Sequence, residues 1–399
     1  MPRGAVAEHP AVTAHPRYDA ADRRATFAEE ARRKKPMPSP PAPTPHPKAA
    51  PPAGAAARRL ALVSLVGVDP TLPSFRLRLA PLAPYLERRG VRVTVVALRG
   101  PEWLRTWRLA RTWRSSGLLV FAKLKLLRGE LGFVQRRCPT WVLDVDDAVM
   151  FRKPPRHGDP PGAARWRQRR FRRMVGESRL VVAASASLAS TIEGAPVEVL
   201  PTPVPLERYP KAALTGDGPL RLAWIGLGAN LRYLADLAPV LRRLAADGLA
   251  FELRVISDRL PDLAGVPCRL VRWSEANEGP ELAACDVGLA PLSDDAWTRG
   301  KGAYRSIQYA AAGLPSVAAP VGANREVVLA GETGLWASTP DEWHGAILRL
   351  AGDVALRRRL GAAARTLAQR YDRSVVVPRY AELLLRLLDE GGVTEEGPR

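Results

Sequence analysis

The run from Cys285 to Trp336, CDVGLAPLSDDAWTRGKGAYRSIQYAAAGLPSVAAPVGANREVVLAGETGLW, gathers the residue types that hold a charged ligand. Val287 to Leu289 is an apolar stretch led by Asp286, short enough for a buried parallel strand. The loop after it carries Asp294, Asp295, Arg299 and Lys301. A polar loop at the carboxyl end of such a strand is where open α/β sheets bind ligands. From Gly302 the pattern turns helical, through Ile307, Tyr309, Ala310 and Ala311 to a stop at Gly313-Leu314-Pro315. Unpaired amides at that helix start, a glycine that permits close approach, and the cations of Lys301 and Arg305 suit a diphosphate. Ser316 to Ala319 gives the next strand, and Pro320 to Asn324 turns into a helix near Arg325 and Glu326, so a second polar turn adjoins the first.

Asp144, Asp146 and Asp147 follow a strand at Trp141 to Val145. Asp144-Val145-Asp146 spells the D-x-D pattern that binds a divalent metal and donor diphosphate in the GT-A glycosyltransferase fold. The donor-type loops lie far downstream and no third ligand cluster accompanies the pair, so no metal is expected.

These residues need two sets of alternating strands and helices to position them. The first runs from a strand at Leu60 to Val66 through a helix at Phe75 to Arg88 to a strand at Val91 to Ala97, with further strands at Gly132 to Arg136, Trp141 to Val145 and Leu180 to Ala184. The second opens with a strand at Leu220 to Ile225, the Gly226-Leu227-Gly228 turn and a helix over 231–246. Strands over 251–256 and 268–271, a helix over 278–284, and helices near 340–350, 354–370 and 374–389 complete it. This alternation implies two Rossmann-like units.

The ordered set Asp286 to Leu292, Lys301 to Arg305, Gln308 to Pro315, Pro320 to Glu326 and Gly331-x-x-Gly334 resembles the C-terminal, donor-binding half of GT-B glycosyltransferases, specifically retaining family four. The resemblance spans roughly 60–390 and is specific after 180. It implies an α/β protein of two Rossmann-like domains facing across a cleft, with an acceptor domain at 58–210, a donor domain at 211–375 and a crossing helix and tail at 376–399. It further implies transfer of a sugar, with retention, from a nucleotide diphosphate sugar, and no obligatory metal or other cofactor. Carried onto this sequence, Gly226 and Gly228 lie under the donor phosphates, Lys301, Gly302 and Arg305 hold the diphosphate, and Asn324 and Glu326 face the donor. Gln308 stands where the family has a ribose-binding glutamate, and Gly300 where it has a sugar-facing one. Asp146 or Asp147 orients the acceptor hydroxyl or accepts its proton. Arg76 faces the cleft from the acceptor side, and His157 alone can stand for the family's cleft histidine. An inactive relative or a sugar-nucleotide epimerase shares these features.

The net charge of +20 is unevenly spread: residues 58–180 carry 27 basic and 9 acidic residues, and residues 181–399 carry 24 and 26. Such a field attracts nucleic acid, an anionic membrane face or a phosphate-bearing acceptor. A basic nucleic-acid-binding protein accounts for the charge but not for the loops, so no specific nucleic acid is expected. Residues 1–57, Pro- and Ala-rich, read as a disordered arm. Cys138, Cys268 and Cys285 form no CxxC pair, which suggests a reducing compartment. With no signal peptide and no 18-residue apolar span, a cytoplasmic location follows. On a helix over Trp103 to Arg114, Trp103, Trp107, Leu109, Ala110 and Trp113 share one arc and Arg105, Arg108 and Arg111 the other. That pattern suits either a lipid interface or tryptophans docked into the domain. The apolar run Gly117 to Leu127 beside it adds to the first reading. The partners implied are a nucleotide sugar, a lipid-linked or anionic glycan acceptor and the inner membrane face.

Overall fold

A computed structural model describes residues 62–390 apart from 114–116, 124–125, 127, 138–139 and 152–161. The N-terminal arm and His157 lie outside them.

The described chain forms two parallel six-stranded sheets. The first contains β1 (Leu62–Gly67), β2 (Arg92–Ala97), β3 (Leu118–Ala122), β4 (Trp141–Val145), β5 (Leu180–Ala183) and β6 (Val197–Val199), in the order β2-β1-β3-β4-β5-β6. The second contains β7 (Leu220–Ile225), β8 (Phe251–Ser257), β9 (Cys268–Arg272), β10 (Val287–Ala290), β11 (Ser316–Ala318) and β12 (Gly334–Trp336), in the order β12-β11-β10-β7-β8-β9. In the second sheet the order reverses between β7 and β10, which opens a crevice at their carboxyl ends.

Parallel strands covered on both faces become continuously apolar. Accordingly β1, β3, β4 and β5 are buried at every residue. One face of the first sheet sets Val63, Leu65, Val120 and Val182 in a core with Val377, Tyr380, Ala381 and Leu384 of the final helix, Arg373–Glu390. The opposite face sets Leu119, Phe121 and Leu143 against Phe171 and Met174. The segment from Pro205 to Gly218 joins β6 to β7, and the final helix returns from the second sheet to the first.

Four elements differ from the sequence reading. The helix expected over Phe75 to Arg88 is two, Pro73–Arg78 and Leu82–Arg88, because Pro81 and Pro84 lack the amides a continuous helix needs. The helix over 231–246 likewise divides into Leu231–Ala235 and Ala238–Ala246 ahead of Pro239. Gly132 to Arg136 belongs to a helix, Arg128–Arg137, whose Leu131 and Val134 are buried at a helical spacing. Within the Gly117 to Leu127 run, Leu118–Ala122 form β3 and are buried in the sheet.

Candidate active site

A cavity of about 940 Å³ separates the two halves. Ile225 and Ala290, the last residues of β7 and β10, line it, so it occupies the crevice where the strand order reverses. The first half contributes Thr71, Ser74, Arg76, Asp146 and Asp147. The second contributes Gly226, Asn230, Lys301, Gly302, Arg305, Gln308 and Asn324.

Arg305 dominates the second wall. It belongs to the helix Tyr304–Ala311, which starts after Ala303 in a left-handed conformation (φ 52°) and has no side-chain cap. Its Nε donates to the Ile225 carbonyl at 2.6 Å, and its guanidinium lies 4.4 Å from the centre of the Trp224 ring. Burial lowers its pKa, and among the described residues no carboxylate pairs with it. A guanidinium withdrawn from water with no carboxylate partner among the described residues, beside open helix amides, suits an anion. Lys301 lines the same wall, its Nζ 6.0 Å from the Trp297 ring centre.

The glycines of this loop are there for space. A Cβ on Gly302 would come within 3.1 Å of the Asp146 carbonyl and 3.2 Å of the Ala184 Cβ, so the loop runs against the first half. A Cβ on Gly300 would come within 2.4 Å of the Ala148 Cβ, which leaves no room for a carboxylate side chain at that position.

Other predicted donor residues also make framework contacts. Gly226 donates its amide to the Ile256 carbonyl, and a Cβ there would meet the Arg305 guanidinium at 2.8 Å. Gly228 is outside the cavity lining, and its amide donates to Asp258 at 2.7 Å. Asn324 is buried, accepting from Ser306 at 3.0 Å and donating to the Ala319 carbonyl at 3.0 Å, which ties the second polar turn to the Arg305 helix. Glu326 is absent from the cavity wall. It crosses to the first half and accepts the Ala186 and Ser187 amides at 3.2 and 2.9 Å, capping the short helix Ala186–Ala189.

On the first wall Lys123 holds both carboxylates, reaching Asp146 at 2.9 Å and Asp147 at 2.6 Å. Burial and the like charge of Asp147 push the Asp146 pKa up against the opposing pull of Lys123. Sequence reasoning missed Lys123, although a lysine directly after the β3 apolar run, at the end of a central strand, was the available signal. Asp144 is engaged elsewhere: Arg78 holds it with two nitrogens at 2.9 and 2.8 Å, and the Tyr380 hydroxyl donates to it at 2.8 Å. Asp144 and Asp146 are thus held by different partners, and among the described residues no group of three or more metal-ligating side chains occurs.

Arg76 lines the cavity and pairs with Glu275 of the second half at 2.7 Å, its guanidinium 5.3 Å from the Trp273 ring centre. Arg208 joins the same carboxylate. Beyond them, Glu278, Tyr209 and Gln308 form a buried polar cluster that sequence reasoning recorded only through Gln308.

Residues 222–353 match the family model described as Glycosyl transferases group 1. Over that stretch the second half resembles a group 1 glycosyltransferase domain. No curated protein matches the chain. Among solved structures, sucrose-phosphate synthase from Thermosynechococcus elongatus is 16% identical, covering 83% of this chain and 100% of its own, with a TM-score of 0.64. HepE of Anabaena, solved in complex with UDP and glucose, is 17% identical, covering 82% of this chain and 100% of its own, with a TM-score of 0.59. A glycosyltransferase from Rickettsia africae is 11% identical, covering 83% of this chain and 99% of its own, with a TM-score of 0.61. These likenesses establish the GT-B fold. The cavity with Arg305 on its wall thus lies between the half that holds the matched stretch and the first Rossmann-like half.

Proposed function

We propose that the chain transfers a sugar from a nucleotide diphosphate sugar to an acceptor hydroxyl, with retention and without a metal. The observation that carries this reading is Arg305, a partly buried cation on the cavity wall with no carboxylate partner among the described residues. A leaving diphosphate supplies the missing charge, and fixed donors in a closed cleft stabilise it as it departs. Lys301 adds a second cation. Across the cavity, Asp146 and Asp147 face the acceptor, one carboxylate receiving the hydroxyl proton while Lys123 balances the charge. The specific resemblance of residues 180–390 to retaining family four supports retention. Occupation of Asp144 by Arg78 and Tyr380 supports independence from a metal.

The acceptor, on this reading, is a lipid-linked or anionic glycan met at the cytoplasmic membrane face. Support comes from the helix Glu102–Trp113, where Trp103 is 71% exposed and Trp107 51% exposed. Leu109 is buried, Arg105 pairs with buried Glu130 at 2.8 Å, and Arg108 donates to the Ala97 and Arg99 carbonyls. Arg105, Arg108 and Leu109 thus make the packing contacts of this helix, and Trp103 and Trp107 stand exposed. Among the described residues no helix is long and apolar enough to cross a membrane.

The test is release of nucleoside diphosphate from UDP-, GDP- and ADP-sugars in EDTA, with membrane lipid extract as acceptor and NMR of the product anomer. Release with a retained anomer is expected. An epimerised free sugar nucleotide identifies an epimerase, and no release from any donor identifies an inactive relative.

A further inference from the structure

A second cavity, of about 630 Å³, adjoins the first and has no role in the transfer described above. That volume lies within the range of small-ligand sites, about 300–1,000 Å³. Thr71 lines both cavities, so the cleft continues past it onto the outer edge of the first half. The turn that carries Thr71 is fixed in place. Asp69 accepts from the Thr71 amide at 3.0 Å and from its hydroxyl at 2.8 Å, and Arg99, from the loop after β2, pairs with Asp69.

The carboxyl end of β2 forms one side of this groove. It is an edge strand, paired with β1, and among the described residues no strand meets its outer side. Thr94 to Ala97 line the groove, and an edge strand leaves its outward amides and carbonyls open to a ligand. Beside this polar edge stand two apolar surfaces, Val95 at 47% and Trp107 at 51% exposure. Arg108 lines the groove next to Trp107, oriented by the Ala97 and Arg99 carbonyls, which leave its charge uncancelled. The lining holds two arginines against one carboxylate, Asp69, which Arg99 already balances, so the groove is positive.

The chemistry of the lining selects the occupant. An acyl chain laid here would strip water from the strand edge, Thr94 and Arg108 and return no hydrogen bond, which is costly. A glycan meets each feature: its hydroxyls bond the backbone edge, the apolar face of a sugar ring lies on the Trp107 indole, and a carboxylate or phosphate on the chain meets Arg108. A peptide strand could also use the edge. Continuity favours the glycan, because the groove opens, past Thr71, from the cavity in which Asp146 and Asp147 face the acceptor.

We propose that this groove is a distal acceptor subsite: it holds the further sugars of an extended anionic glycan, one ring stacked on Trp107, while the chain end in the cleft presents the hydroxyl that is glycosylated. This rests on the acceptor reading above and narrows it to a chain of several sugars bearing carboxylate or phosphate groups.

Calorimetric titration of the full chain with oligogalacturonates, from dimer to hexamer, tests the proposal, with maltohexaose as the neutral control. Affinity rises with length, and the hexamer binds at least about tenfold more tightly than either the dimer or maltohexaose. Trp107→Ala weakens the hexamer about tenfold and leaves the dimer unchanged, because a short chain stays in the cleft. Val95→Glu, at an exposed position, sets a like charge in the groove and acts in the same direction; it carries the comparison if melting shows that Trp107→Ala is unfolded. Equal binding of dimer and hexamer, equal binding of maltohexaose, or folded variants that keep wild-type hexamer affinity overturn the groove. So does a Trp107→Ala protein that loses phosphatidylglycerol vesicles while keeping the hexamer, which makes Trp107 a lipid contact. Titration of the wild type with UDP, GDP and ADP separates the two readings: nucleotide binding with no length dependence overturns the groove alone, and no nucleotide binding overturns the glycosyl-transfer reading.

Discussion

Arg78 and Asp144 form a buried ion pair, two guanidinium nitrogens at 2.9 and 2.8 Å from the carboxylate, and the Tyr380 hydroxyl closes the group from the final helix. Burial alone would lower the Arg78 pKa, but the Asp144 charge more than reverses this and raises it. Three distant segments thus meet at one charge pair. Removing one partner of such a pair leaves the other buried and uncompensated, at a cost of about 3–5 kcal/mol. Asp144→Ala should lose that much in urea unfolding, and Arg78→Ala a similar amount, with the double variant losing less than their sum. Additive losses would show that the two side chains stabilise the fold independently.

Arg305 behaves oppositely. It has no carboxylate partner among the described residues, so Arg305→Ala should leave the unfolding midpoint close to wild type while weakening nucleoside diphosphate binding roughly 10- to 150-fold. Lys301→Ala should weaken binding in the same direction. Wild-type affinity in both variants would move the diphosphate elsewhere.

Asp146 has its pKa raised by burial and by Asp147. If Asp146 is the carboxylate that receives the acceptor proton, it must be ionised, so kcat/KM should rise with pH along a limb above the ordinary aspartate value of about 3.9. Stability moves the other way. The folded state holds this proton more tightly than the unfolded chain, so the contribution is present at low pH and is lost as pH rises through the raised pKa. Asp146→Asn should abolish the rate and remove that slope together. Near-complete loss of rate in Asp146→Asn with an unchanged acid limb in Asp147→Asn would assign the base to Asp146, and the reverse would assign Asp147.

Trp103 and Trp107 stand exposed beside the basic first half. Each basic residue near an anionic leaflet contributes about 1 kcal/mol, within roughly a Debye length. Sedimentation with vesicles should therefore increase with anionic lipid, decrease with salt, and weaken in Trp103→Ala with Trp107→Ala. Indifference to anionic lipid would leave a soluble acceptor.

The sequence by itself determined the two β–α halves and the polar loop that leads into the Arg305 helix, because strand burial, helix period and glycine–proline punctuation are written in neighbouring residues. Lys301, Gly302, Arg305 and Gln308 were legible for that reason: strand, loop and helix start follow one another within a short run, and all four line the cavity. Partners far apart in the chain carry no such local signal. Only the tertiary structure paired Arg78 with Asp144, seated Asp146 and Asp147 on Lys123, brought Glu278 to Gln308 and Tyr209, and turned Glu326 from the cavity to the first half. It likewise closed position 300 against Ala148 and placed Leu118–Ala122 in the sheet as β3. Periodicity says which residues seek burial, whereas the packing of one half against the other decides which charges they meet there.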